Sequence, residues 1–308
     1  MRRNTSILIW WLLLLVVVVG GDRLLALVLD RVVSGSEIRF SQLYAGRVPR
    51  GVVILGNSRA VNTFYAPALS QALDRRVYNL GHNGISVEMS EVLFADLLDR
   101  NPEPELVVIE LTMLGGEQGA LNGLKMYARR SPRMTALYER EFPAEATATR
   151  VSHLFSLNCE LFLRALQYRG QSDQSWINRS RISQELLESV PTMEPTQLPL
   201  EDGKLASLRR ILTHAHSREI EVRLVLGPYL PLYADKISNL EIWLSTIRAE
   251  VEPAVPVWDL SRIIRSSDAF ADRIHLNERG AREVGDRLAR CGFFLHGAVP
   301  GDCSEVSL

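Results

Sequence analysis

The chain opens with its most uniform hydrophobic run. No charge occurs from Asn4 to Gly21, a span of 18 residues, and Ile7 to Val19 is aliphatic or Trp throughout. As a helix rising about 1.5 Å per residue, such a segment nearly crosses the hydrocarbon core of a bilayer. Arg2 and Arg3 precede it, and the positive-inside tendency keeps that end in the cytoplasm and sends everything after Asp22 to the far side. A cleaved signal peptide is the competing reading, because Gly20 and Gly21 are small. No A-x-A site follows, however, and the run is longer than most h-regions, which favours an uncleaved anchor over residues 1–21. The next stretch, DRLLALVLDRVV at 22–33, stays apolar while admitting Asp22, Arg23, Asp30 and Arg31. It reads as a helix leaving the membrane surface, the start of a stalk over 22–49.

From residue 50 onward, apolar runs of strand length alternate with helical periodicity: Val52 to Leu55, Val61 to Leu73, Val77 to Leu80, Val87 to Leu98, Leu106 to Leu111. Alternation of this kind predicts βαβαβ winding. VVIL and LVVIEL are aliphatic runs, the second broken only by Glu110, as parallel strands covered on both faces require. The pattern resumes with a helix over Leu205 to His216, a strand over 222–229, a helix over Ile237 to Val251, a strand over 255–260 and a last helix from Glu278 to Arg290. The expected fold is an α/β three-layer α/β/α sandwich, flavodoxin-like, with a five-stranded, mainly parallel sheet over residues 50–308. Between about 115 and 200 lies an insertion. Its first part has helical character (Gly123 to Arg140, Ala146 to Tyr168); its second is polar and poorly periodic, and reads as a cap with a mobile loop.

Composition narrows the function classes. With 308 residues, 46% hydrophobic and 23% charged, the chain can bury a full core. Lys and Arg number 35 against 36 Asp and Glu, a formal charge of -1, so no global basic field exists to gather nucleic acid. Cys159, Cys291 and Cys303 form no CxxC and no Cys/His cluster at metal-ligand spacing, and neither metal nor cofactor is expected. Cys291 and Cys303, twelve apart, could close a loop in an oxidising compartment with Cys159 left as a buried thiol; three unpaired cysteines is the other reading. Asn178-Arg179-Ser180 fits a glycosylation sequon, a triplet that also arises by chance.

Two segments carry candidate chemistry. Gly56-Asn57-Ser58-Arg59 follows the first strand, and ligands of open α/β sheets bind outside the carboxyl ends of strands. A glycine two residues before a serine permits a tight turn that presents Ser58 to that cleft. Read as structure alone, Ser58 is a helix N-cap. The second segment comes 214 residues later, where Asp272 and His275 stand three apart. One helical turn would set both side chains on one face, with the carboxylate orienting an imidazole that serves as general base to Ser58. The plainer reading makes Asp272 the cap of the last helix and His275 a surface residue.

A serine after the first strand, a D-x-x-H before the last helix and five parallel strands between them resemble the SGNH, or GDSL-like, hydrolase family over about residues 50–295. Gly56-Asn57-Ser58 is similar to the family's Gly-Asp-Ser block, with Asn in place of Asp. Asn79-Leu80-Gly81-His82-Asn83-Gly84 looks like its second block, which implies that the N–H of Gly81 joins an oxyanion hole. Asp272 and His275 match the fifth block. In the third, where the family has Gly-x-Asn-Asp, this chain has Ile109-Glu110-Leu111-Thr112-Met113 and no Asn. Loss of such a donor costs about 10²- to 10³-fold in rate, so Thr112, Asn83 or a cap residue would have to replace it. Glu110 reads as a carboxylate taking backbone or Arg hydrogen bonds at the strand end.

The resemblance implies a membrane-anchored, extracytoplasmic serine esterase, periplasmic in a bacterium, acting on acyl esters, above all O-acetyl groups of cell-surface or exported polysaccharide. An O-acetyltransferase would use the same triad and would need a multi-spanning partner to carry acetyl groups across the bilayer. A catalytically idle scaffold that binds glycan is the reading from a different class, and a lipase or thioesterase near the membrane a further one. Among residues bordering the expected cleft, His82 reads as surface, Arg59 as the partner of a carboxylate, and Trp176 and Tyr168 as sugar-stacking rings or core. The prolines of Gly227-Pro228-Tyr229-Leu230-Pro231 read as loop stiffeners.

Overall fold

The structure is a computed structural model that describes residues 2–115, 119–251 and 255–303. Five parallel strands form one sheet: β1 (Val52–Leu55), β2 (Val77–Asn79), β3 (Leu106–Glu110), β4 (Glu221–Leu226) and β5 (Val257–Asp259), in the order β2-β1-β3-β4-β5. Side chains alternate between the two faces. Val53, Leu55, Val107, Ile109 and Leu224 enter one apolar cluster with Leu93, Leu97, Leu208, Ile211, Leu244 and Ile247, from helices Val87–Arg100, Asp202–His216 and Leu240–Val251. Val52, Ile54, Val108 and Val225 enter the other with Leu69, Val284 and Leu288, from helices Ala66–Leu73 and Glu278–Arg290. The three-layer expectation is thus met, with every strand pair parallel.

Boundaries differ where local chemistry intervenes. The helix expected over 61–73 is two, Ser58–Thr63 and Ala66–Leu73, the second with Pro67 in its first turn. β4 stops at Leu226 rather than 229, because the carbonyls of Gly227 and Pro228 turn to Arg59 and the N–H of Tyr229 goes to the Ser261 carbonyl. In the insertion, prolines set the starts: Pro132–Glu141, capped by Ser131, and Pro143–Val151, followed by Glu160–Gln167. Its polar half is tied down, with Ile177, Ile182 and Val190 buried and the Ile182 N–H donating to the Phe270 carbonyl at 2.9 Å.

One helix runs unbroken from Arg2 to Ser34 and is long and apolar enough to cross a membrane. Residues 36–48, assigned to the stalk from sequence, pack into the body instead: Ile38, Phe40, Leu43 and Val48 are buried in the main core beside the short helix Arg39–Tyr44. Their apolar spacing, confined to the 13 residues from Ser36 to Val48, is short for an independent pattern. At the other end, Cys291 and Cys303 are disulfide-bonded, Phe293 and Phe294 between them are core residues, and Cys159 is a free, half-buried thiol whose pKa is raised by that burial.

Candidate active site

β1 lies between β2 and β3, so the connections leaving β1 and β3 diverge and open a crevice at their carboxyl ends. Gly56 makes the turn into it with φ 145°; a Cβ there would meet the Cβ atoms of Ala60 at 2.8 Å and Glu110 at 2.9 Å, which excludes any other residue without rearrangement. Asn57, not Ser58, is the N-cap: its Oδ1 accepts the Arg59 N–H at 2.9 Å and its Nδ2 donates to Thr112 Oγ1 at 3.1 Å. Ser58 therefore occupies the first helical position, where its own N–H has no intrahelical acceptor and its hydroxyl is released from capping.

That hydroxyl lies 2.7 Å from His275 Nε2, and His275 Nδ1 lies 2.7 Å from Asp272 Oδ2. Asp272 and His275 do not share a helical turn. They sit in a bend that the carboxylate itself organises, since Asp272 Oδ1 accepts the N–H groups of Ile274 and His275, each at 2.8 Å. The cap of the last helix is Asn277, whose Oδ1 accepts the Gly280 N–H at 3.1 Å. Partial burial opposes ionisation of Asp272, but the imidazole and the two backbone N–H groups outweigh it and hold its pKa below the usual carboxylate value. An ionised carboxylate only accepts, so the ring proton sits on Nδ1 and Nε2 is left to receive the Ser58 proton.

Arg59, next to the serine, binds the crevice together. Its buried guanidinium donates to the carbonyls of Gly227 (2.5 Å), Pro228 (3.0 Å) and Ile274 (3.2 Å), approaches Glu110 Oε1 at 3.4 Å, and stacks 3.6 Å from the Tyr229 ring centroid. Glu110, fully buried, also accepts from Gly227 N at 3.2 Å and from Thr112 N at 3.1 Å and Oγ1 at 2.5 Å. The strand-end carboxylate reading of Glu110 agrees with this geometry. Because Ile274 precedes His275, one side chain joins the turn that carries Ser58, the ends of β3 and β4, and the histidine loop.

The expected oxyanion donors are placed differently. The Gly81 N–H is engaged by Asn79 Oδ1 at 2.8 Å, and its carbonyl by Arg39 Nη1 at 2.5 Å. Thr112 directs its hydroxyl to Glu110 while receiving Asn57, so it positions the cap rather than facing the crevice. Asn83 is exposed at the rim, beside a hollow that Val61, Arg164, Tyr168 and Trp176 also line. His82 is no plain surface residue: burial, with the charges of Arg39 and Arg164, lowers its pKa to about 3, so it is neutral. Two bonding roles, those of the Asn79 side chain and of Gln174, were not foreseen. Asn79 Nδ2 donates to the carbonyls of Ala60 and Phe64 at 2.9 Å each, and Gln174 pairs with both backbone groups of Asn79, extending the insertion to the β2 end. A polar residue closing an apolar strand was the available signal for Asn79; nothing in sequence marked Gln174. Among the described residues, no group of three His, Cys, Asp or Glu is arranged to hold a metal.

No family model matches the sequence, and no curated protein matches it. Similar solved structures include a putative lipolytic protein of the G-D-S-L family from Desulfitobacterium hafniense, 14% identical, covering 78% of this chain and 98% of that one at a TM-score of 0.39. A putative acylhydrolase from Bacteroides fragilis is 14% identical over 82% and 92% of the two chains at 0.39. A family two carbohydrate esterase from Clostridium thermocellum is 8% identical over 79% and 63% at 0.38. The chemistry rests on the crevice itself.

Proposed function

We propose that the chain is a serine hydrolase of the SGNH type that cleaves acyl esters, held at a membrane by its N-terminal helix with the body outside the cytoplasm. O-acetyl groups of a cell-surface or exported polysaccharide are the proposed substrate class. The observation that carries the reading is the pair of 2.7 Å contacts linking Ser58, His275 and Asp272. Ser58 Oγ attacks the acyl carbon as its proton passes to His275 Nε2, and Asp272 stabilises the imidazolium. The imidazolium then gives its proton to the leaving sugar oxygen. Water, deprotonated by His275, resolves the acyl-enzyme and releases the acid and Ser58. Support for a saccharide comes from Trp176, 37% exposed, beside Tyr168 at the hollow next to the crevice. Support for an oxidising location comes from the Cys291–Cys303 bond.

A second reading, an idle scaffold that binds glycan, draws on the engaged Gly81 N–H and Thr112 hydroxyl. The full chain in detergent, given p-nitrophenyl acetate and a serine-directed fluorophosphonate, separates the two. Turnover and labelling that vanish in Ser58→Ala and His275→Ala support the hydrolase. Glycan binding without either supports the scaffold. Release of free acetate, against its appearance on an added sugar, distinguishes hydrolysis from transfer by the same triad.

A further inference from the structure

The helix that leaves the apolar span has two dissimilar faces. Toward the body, Ala26 and Val33 are buried and the charges are engaged. Asp22 accepts from Ser152 Oγ at 2.5 Å and from the N–H groups of His153 (2.8 Å) and Leu154 (3.2 Å), while Arg23 donates to the carbonyls of Arg150 (3.1 Å) and Val151 (3.2 Å). Arg130 reaches Asp30 at 2.5 Å. At 3.6 residues per turn, Leu24, Leu25, Leu27 and Val28 fall on the opposite arc, each between 47% and 66% exposed. The next charge on that arc is Arg31, itself exposed.

We infer that this outer face lies on the bilayer, so that the anchor is tilted and the body rides on the opposite side of the helix. The inference rests on the membrane reading above and adds an orientation to it. On the body side the apolar surface ends at Gly21, 15 residues from Ile7 and about 23 Å long. On the outer side it continues without a polar break from Ile7 to Val28, 22 residues and about 33 Å, against a core of about 30 Å. A span longer on one face than on the other meets a flat membrane by leaning toward the longer face, and tilting is the ordinary response to such excess length. Leaning that way lowers Leu24, Leu25, Leu27 and Val28 into lipid. It lifts Asp22 and Arg23, already satisfied by the body, clear of the hydrocarbon, where charges are costly. Arg31, at the end of the apolar arc, then reaches the headgroup phosphates, its stem along the apolar surface.

Single cysteines test this in the full chain, with Cys159→Ser as background and the Cys291–Cys303 bond intact. Val16→Cys, Leu24→Cys, Val28→Cys, Arg31→Cys and Ile242→Cys are labelled in turn with an environment-sensitive nitrobenzoxadiazole dye and reconstituted in phosphatidylcholine and phosphatidylglycerol vesicles. Quenching is read from a nitroxide on the lipid chain near the headgroup and from iodide in the water. The tilt predicts that dyes at 24 and 28 lose fluorescence to the lipid nitroxide and are protected from iodide, that 31 responds to both, and that 242 responds to iodide alone. Dyes at 24 and 28 behaving like 242 overturn it. So does shielding from both quenchers with disulfide-linked dimers at Val28→Cys, which would make a second copy the occupant. A dye at 16 open to iodide overturns the membrane reading as well, and ester turnover by the same samples reports on the hydrolase reading separately.

Discussion

Glu110→Gln replaces a carboxylate by an amide of the same shape at the point where the crevice is joined. Glu110 Oε1 receives Arg59 Nε and Gly227 N, and Oε2 receives both donors of Thr112. Glutamine offers one oxygen and two N–H donors, so one of these pairs of buried donors must face an amide nitrogen. Leaving a buried donor without an acceptor costs about 1–3 kcal/mol, and breaking a buried ion pair by removing one partner costs about 3–5 kcal/mol. Arg59 keeps three carbonyl acceptors, which places the expected loss near the lower end, about 3 kcal/mol, a large share of the roughly 5–15 kcal/mol that holds a domain folded. Urea unfolding of the detergent-solubilised chain reads this as a lowered midpoint with unchanged slope. Arg59→Met removes the other partner. In the double variant no unpaired charge remains, so the combined loss should fall short of the two single losses by about 0.5–3 kcal/mol. In Arg59→Met turnover should fall further than stability implies, because freeing the Ile274 carbonyl loosens the loop bearing His275, and a displacement of about 1 Å costs about 10²-fold. A Glu110→Gln midpoint within about 0.5 kcal/mol of the parent, or strict additivity of the two substitutions, refutes the reasoning.

Asp272→Asn should lower kcat toward p-nitrophenyl acetate by about 10⁴-fold, with the far-ultraviolet circular dichroism unchanged, because the amide no longer fixes the Nδ1 proton. The same carboxylate sets an acid dependence: its folded pKa lies below the unfolded value of 3.8, so its stabilisation is complete above that value and is lost as pH falls through the folded pKa. Urea midpoints from neutral pH down to pH of about 3 should therefore fall less steeply in Asp272→Asn than in the parent. Gly56→Ala forces a Cβ against Ala60 and Glu110 at a positive φ, and a loss of about 1–3 kcal/mol with a matching drop in fluorophosphonate labelling is expected; labelling at the parent rate would contradict the close packing. Cys291→Ser opens a loop of twelve residues' separation and should lower thermal stability by about 2–3 kcal/mol, with reduction of the parent giving the same shift.

The sheet was legible because its signal is redundant. VVIL at 52–55 and LVVI at 106–109 are apolar at every position, as strands covered on both faces must be, and alternation with helical periods fixes a parallel winding. Ser58, Asp272 and His275 were legible as residue types at fixed places relative to that winding, although the shared helical turn that their spacing suggests for the last two is the wrong geometry for the right neighbours. What joins them was not legible, for a physical reason. The bonds of Arg59 run to backbone carbonyls of Gly227, Pro228 and Ile274, and a carbonyl is the same group at every position, so no residue type announces it. The same holds for Gln174 on the backbone of Asn79. Gly81 and Thr112 show the converse: residue identity suggested open donors, whereas the crevice turns both toward acceptors of its own, Asn79 and Glu110. Among the described residues, the Ser58 N–H has no intrahelical acceptor because it is the first of the helix's terminal donors, and the side chain of Asn83 is exposed at the rim. Asn57, an amide, both accepts from the Arg59 N–H and donates to the Thr112 hydroxyl, which a carboxylate beside Glu110 could not do.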